Sequence, residues 1–370
     1  MSAIWDQGAL LDTRRALIDD PGVSHYAKVA DLPLEIAEHS FESLAQVGPT
    51  GWTRKTTLIR LRGRGEEGQG EDVIWNDKDH RLLQQEVDLS LAGIYTFDEF
   101  SHRLDETPLF VKPPGRSDYT LYRRWGFESA ALDLALRQAG VSLADALGIE
   151  IKPLTFVIST GLGDPASVEP LRRRLELYPD MRFKLDLSES WTPELAAELA
   201  EMGIVDCVDL KGLYDSDDFS GPAANPEQYR FVADTIGGAW IEDPYLDEAT
   251  RDALATHHDR ITWDANIHSI ADIATLPFKP TCVNMKPSRF GFLSELLRTY
   301  EYCDGQGIRM YGGGQFELGV GRGQAQYLAS LFHPDGANDV APLPYNQSEL
   351  VAGLPTSPLP PAPPSIGFRW

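Results

Sequence analysis

Residues 181–187 read MRFKLDL, and the same kind of segment returns as VDCVDLKG (205–212), AWIEDP (239–244), ITWDAN (261–266) and TCVNMKP (281–287). Each is a short apolar run ending in polar residues, the reading expected of a strand buried on both faces. Amphipathic stretches such as TPELAAELAEMG and FLSELLRTYEYC lie between them, so the unit is strand then helix, repeated. Working outward, LTFVIS (154–159) precedes the series, and IRMYGG (308–313) and DVAPL (339–343) follow it. Eight such units predict a closed (β/α) barrel, which takes about 250 residues.

The chain has 370 residues, which leaves room for a smaller domain. PLEIAEHSF (33–41) and KTTLIRLR (55–62) alternate as strands do, GRGEEGQGE (63–71) reads as a hairpin turn, and 81–110 reads as helical. WGFESAALDLALRQAGVSLADALG, from Trp125, has apolar residues at helical spacing and stops at a glycine. The predicted organisation is an extension over 1–30, an α+β domain over 31–118, the barrel over 119–345, and a Pro-rich tail over 346–370 that packs on the surface.

A formal net charge of -23 repels phosphate backbones and anionic lipid surfaces, so small molecules are the expected partners, with no nucleic acid and no membrane. Cys207, Cys282 and Cys303 show no close pairing or metal-type spacing, which suits a reducing compartment. With no basic-then-apolar leader and no run of about 18 apolar residues, a cytoplasmic location is expected.

In a barrel the chemistry sits at the carboxyl ends of the strands. Lys184 and Asp186 end the second strand, Asp209 and Lys211 the third, Glu242 and Asp243 the fourth, Asp264 and Asn266 the fifth, and Asn284 and Lys286 the sixth. Three consecutive strands ending in Asp209, Glu242 and Asp264 would gather hard oxygen donors at one rim, as Mg²⁺ or Mn²⁺ requires. Gly63, Gly65 and Gly68 match a dinucleotide fingerprint only superficially, because EEGQGEDV and not a helix follows.

These strand ends resemble the enolase superfamily, closest to its muconate-lactonizing-enzyme-like branch. Residue by residue, Asp209, Glu242 in IEDP and Asp264 match the family's three metal carboxylates, and Lys286 in VNMKPSRFG matches its sixth-strand base. TTLIRLRGRGEEGQGE resembles the hairpin of the family's capping domain, and the segment from Trp125 resembles the helix leading into its barrel. The resemblance implies an enolase-type barrel with an N-terminal capping domain. It further implies a homo-oligomer and a Mg²⁺-dependent lyase or isomerase that removes the alpha-proton of a small carboxylate substrate. Lys211, Asn266, Asn284, Gln315 and Glu317 are the candidate substrate contacts, and the glycines of YGGGQ and GVGRG are placed to offer backbone N–H groups to an anion.

Where the family's second strand carries Lys-x-Lys, this chain has Lys184-x-Asp186. Asp186 then replaces the lysine as acid/base, joins the metal, or marks lost activity. Making Asp186 the first metal ligand would orphan VDCVDLKG. No histidine occurs in 308–322, which disfavours the racemase branch that uses one there. Two rivals stand beside the enzyme reading: a catalytically silent barrel that binds a metabolite or serves in an assembly, and a metal-free hydrolase using Glu242 and Glu317.

Overall fold

The computed structural model describes residues 24–48, 51–85, 87, 89–214, 220–347 and 350–370. The expected extension over 1–30 lies mostly outside the described residues. The N-terminal domain is α+β. Strands β1 (Pro33–Ile36), β2 (Glu38–Val47), β3 (Thr53–Gly63), β4 (Glu66–Asp72) and β5 (Gly93–Thr96) form two antiparallel sheets, β2-β3-β4 and β1-β5. The hairpin turn is shorter than the sequence suggests. Only Arg64 and Gly65 take positive φ, 50° and 77°, the mirror-image turn that matches strand twist, and EEGQGED continues as β4. The other glycines serve packing: a Cβ on Gly68 would lie 2.2 Å from the Ala130 carbonyl, and one on Gly70 2.0 Å from that of Gly126. They let the helix Tyr119–Ala139 lie directly on β4.

The stretch 81–110, read as helical, contains the helices Asp77–Gln85 and Phe97–Asp105 with β5 between them. Four residues are too few to show a period, and β5 is specified instead by its partner β1, Leu34 opposite Tyr95. Thr96 and Glu99 close a reciprocal capping box at the start of the second helix.

The barrel strands are β6 (Ile158–Gly161), β7 (Phe183–Asp186), β8 (Val205–Asp209), β9 (Trp240–Glu242), β10 (Ile261–Thr262), β11 (Cys282–Met285) and β12 (Arg309–Gly312). Strands β6 to β10 pair in parallel in chain order, as do β11 and β12. The Asn284 amide donates to the Trp263 carbonyl at 2.9 Å, joining β10 to β11. The eighth segment is not a continuous strand: Asp339 N–H donates to Gly312, and Val157 N–H donates to Asn338, closing the ring through a single bridge between Phe156 and Asn338. Pro342 lacks the N–H that would continue a strand over DVAPL. β6 likewise starts later than LTFVIS, with Leu154 paired to Leu359 of the tail. No helix among the described residues is long and apolar enough to cross a membrane.

Glu71 and the tail residues Phe368 and Arg369 are among the contacts that bind the N-terminal domain and the tail to the barrel. Glu71, at the end of β4, accepts hydrogen bonds from the amides of Leu318 (2.6 Å), Gly319 (2.9 Å) and Gly321 (2.9 Å), at the start of the helix Val320–Phe332. A carboxylate there meets the helix's orphan donors and the positive end of its dipole. Phe368 of the tail is buried between Trp125 and Tyr327. Beside it, Arg369 donates to Asp133 at 2.7 Å and to the Glu67 carbonyl at 2.5 Å.

At the C-terminal end of the helix Val320–Phe332, burial pushes the imidazole of His333 down from 6.5 to about 4. Its Nδ1 lies 2.7 Å from Asn338 Oδ1, which also accepts from the Gly312 amide. Between pH 6.5 and 4 the unfolded chain takes up a proton that the folded chain refuses. Stability should therefore fall with pH across that window, by up to about 3 kcal/mol from this group. Denaturant midpoints at pH 6.5 and 4.5 should converge in His333→Gln relative to the wild type; an unchanged difference would assign the acid sensitivity elsewhere.

Candidate active site

Parallel register sets the strand ends side by side: Asp186 pairs with Asp209, and Asp209 with Glu242. Asp264 follows β10, whose Thr262 pairs with Glu242. Asp209, Glu242 and Asp264 are fully buried. VDCVDLKG is thus a barrel strand, paired between β7 and β9.

The lysines fill the spaces between the carboxylates. Lys184 points into the lumen, bonded to Glu242 Oε2 and lying 3.6 Å from Asp209 Oδ2. Lys211 Nζ lies 2.5 Å from Asp209 Oδ2 and 3.0 Å from Asp186 Oδ1. Lys286 Nζ donates to Asp264 Oδ2 at 2.7 Å. Glu242 Oε1 accepts from Asn284 Nδ2 (2.8 Å) and from the Tyr311 hydroxyl (2.5 Å).

Three participants, Tyr311, Arg289 and Tyr214, escape a reading of strand ends alone. Tyr311 comes from the middle of β12. Arg289, one turn beyond Lys286, donates to the Asp264 carbonyl at 2.7 Å and touches Asp264 Oδ2 at 3.3 Å. Tyr214, from the loop after β8, donates to Asp264 Oδ2 at 2.9 Å. Asp243 accepts the amides of Asp264 (2.7 Å) and Ala265 (2.9 Å), so it shapes the end of β10. Asp243 and Lys211 both have left-handed backbones, φ 49° and 54°, which cost about 1–2 kcal/mol each and persist only where the surroundings impose them.

The electrostatics divide the carboxyls into two kinds. Burial, reinforced by Asp209, Asp264 and Asp243, pushes Glu242 up to about 8 against the pull of Lys184. Burial beside Asp264 and Asp209 pushes Asp243 up to about 7. Burial also disfavours charge on Asp209 and Asp264, yet Lys211 and Lys184 hold the first below the ordinary range, and Arg289 and Lys286 the second.

The outlying candidates fall in different places. The Gln315 side chain bridges the two domains, accepting from Trp75 Nε1 at 3.1 Å and donating to the Tyr122 hydroxyl at 3.3 Å. Its loop passes over Lys286, so that a Cβ on Gly313 would lie 2.6 Å from Lys286 Cε. Glu317 Oε1 accepts the Gln315 amide at 2.7 Å and so supports its own loop. Asn266 is exposed, outside the network at the strand ends. The amides expected to meet an anion at GVGRG are held by Glu71 of this chain, so that expectation is corrected: the anion is internal.

Among the described residues no three His, Cys, Asp or Glu side chains form a ready-made metal-ligand group. The donors nonetheless suit a hard divalent cation. Asp264 Oδ1 is buried with no hydrogen-bond partner, and the crowding that raises Glu242 and Asp243 is the kind that positive charge relieves.

The family model described as Domain of unknown function (DUF8230) C-terminal domain matches residues 150–347, and its N-terminal counterpart matches 27–146. The o-succinylbenzoate synthase of Bacillus subtilis (strain 168) is 26% identical over 219 residues, 56% of this chain and 55% of that protein. The chain therefore spans about half the length of the curated relatives it matches. Among solved structures, an enolase superfamily member from Listeria innocua Clip11262 is 18% identical, with a TM-score of 0.64 over 84% of this chain and 86% of that one. A dipeptide epimerase from Methylococcus capsulatus, complexed with Mg ion, is 20% identical, with a TM-score of 0.64 over 83% and 90%. The fold is that of the enolase superfamily, a (β/α) barrel behind an α+β capping domain.

Proposed function

The chain belongs to the DUF8230 family, and from its strand ends we propose that it is a Mg²⁺-dependent lyase or isomerase that removes the alpha-proton of a small carboxylate. The observation that carries this reading is the row Asp209, Glu242 and Asp264 on three consecutive strand ends, with Lys286 on the next. Those three carboxylates would hold the ion, with Mn²⁺ as a substitute. When bound, it supplies positive charge that offsets the negative charge growing on the substrate carboxylate as the proton leaves.

The chain's own groups do the rest. Lys286 Nζ, at the rim under Gly313, accepts the proton as the neutral amine, its ammonium having first lost a proton to solvent. Asn284 and Tyr311 hold Glu242, while Tyr214, Arg289 and Asp243 hold Asp264, so the donor oxygens are fixed before substrate arrives. Gln315 sets the loop over Lys286 against the capping domain. Asp186 is engaged by Lys211, and elimination with a single base suits this arrangement better than racemisation, which needs an acid/base group on each face. The ammonium of each lysine already satisfies a carboxylate, and that observation favours the second reading, a silent barrel.

Incubation with a panel of carboxylic acids in D₂O and Mg²⁺ separates the two. Deuterium should enter the alpha position of at least one acid, seen by mass spectrometry or NMR, and chelator should stop it. No exchange across a broad panel, with no Mg²⁺ binding, would leave the silent barrel.

A further inference from the structure

Lys211 is shared between two carboxylates with different surroundings. It leaves β8 two residues after Asp209, and its left-handed backbone turns the side chain back over the rim to Asp209 Oδ2 and Asp186 Oδ1. Gly221 packs closely against it: a Cβ there would lie 1.9 Å from the Lys211 carbonyl oxygen, and Gly221 N–H donates to the Tyr214 carbonyl at 2.9 Å. The main chain of Lys211 is therefore fixed, and its ammonium moves only by side-chain rotation.

The other cation near Asp209, Lys184, is 2% exposed and bonded to Glu242, whereas the Lys211 side chain is 18% exposed. Lys211 is thus the group that an ion arriving at Asp209 displaces. A displaced ammonium needs an anion within reach, and Asp186, 39% exposed and already 3.0 Å away, provides one. We infer that Asp186 is a positioning residue that draws the Lys211 ammonium aside when a divalent cation takes Asp209, and that it is not itself a ligand. This rests on the Mg²⁺ reading above, and it gives the second-strand aspartate a role tied to the third-strand lysine.

Calorimetric titration with Mg²⁺ of the wild type, Asp186→Asn, Lys211→Met and the double variant tests it. In Asp186→Asn the ammonium keeps Asp209 as its sole carboxylate and competes with the ion, so affinity should fall about tenfold. Lys211→Met removes the competitor and should bind severalfold more tightly than the wild type, and the double variant at least as tightly. Unchanged affinity in Asp186→Asn overturns the inference alone. Equal weakness in Asp186→Asn and the double variant overturns it by making Asp186 a ligand. A wild type that binds neither Mg²⁺ nor Mn²⁺ overturns the metal reading and this inference with it.

Discussion

Changing Asp209, Glu242 and Asp264 together to alanine should abolish the heat of Mg²⁺ binding, and Glu242→Gln alone should weaken binding by at least about tenfold to a hundredfold. Loss of a group that merely supports a metal ligand costs that much, and a ligand carboxylate should cost no less. The single variant matters because the triple one strips Lys184 of both its carboxylates, and a buried unpaired ammonium destabilises by several kcal/mol. Glutamine keeps an oxygen for Asn284 and Tyr311 while removing the charge. Near-normal binding in a folded Glu242→Gln protein would place the ion elsewhere.

Lys286→Ala should cut turnover of any substrate found by about a hundredfold or more, the usual scale for a general base, with Mg²⁺ binding retained. Asp264 keeps Tyr214 and Arg289 when the lysine goes, so its carboxylate stays in place and the fold should survive. A rate within a few-fold of the wild type would make Lys286 a counter-ion of Asp264 and nothing more.

What the sequence made legible is the part of the site governed by local period. A parallel strand buried on both faces reads as an apolar run, and the polar residues that end it fall at the mouth of the barrel. Asp209, Glu242, Asp264 and Lys286 are found that way, one per βα unit. Lys211 and Asp243 were visible as residues, but their left-handed turns are tertiary products, and the Lys211 link to Asp186 follows from that turn. Arg289 and Tyr214 reach Asp264 from a helix and a loop, where no strand period points. Trp75 meets Gln315 only because the two domains dock. The amides near Gly319 looked open to an outside anion because nothing in local sequence says that Glu71, some 250 residues earlier, occupies them.

That placement of Glu71 reaches beyond local geometry. Pulling the domains apart would strand a buried carboxylate on one side and three helix amides on the other, each costing about 1–3 kcal/mol if left without water or partner. Arg369 and Phe368 add a second tie from the far end of the chain. Neither half gains by unfolding ahead of the other, so heat and denaturant should melt barrel and cap in one cooperative transition, without a hinge motion that separates the cap from the barrel.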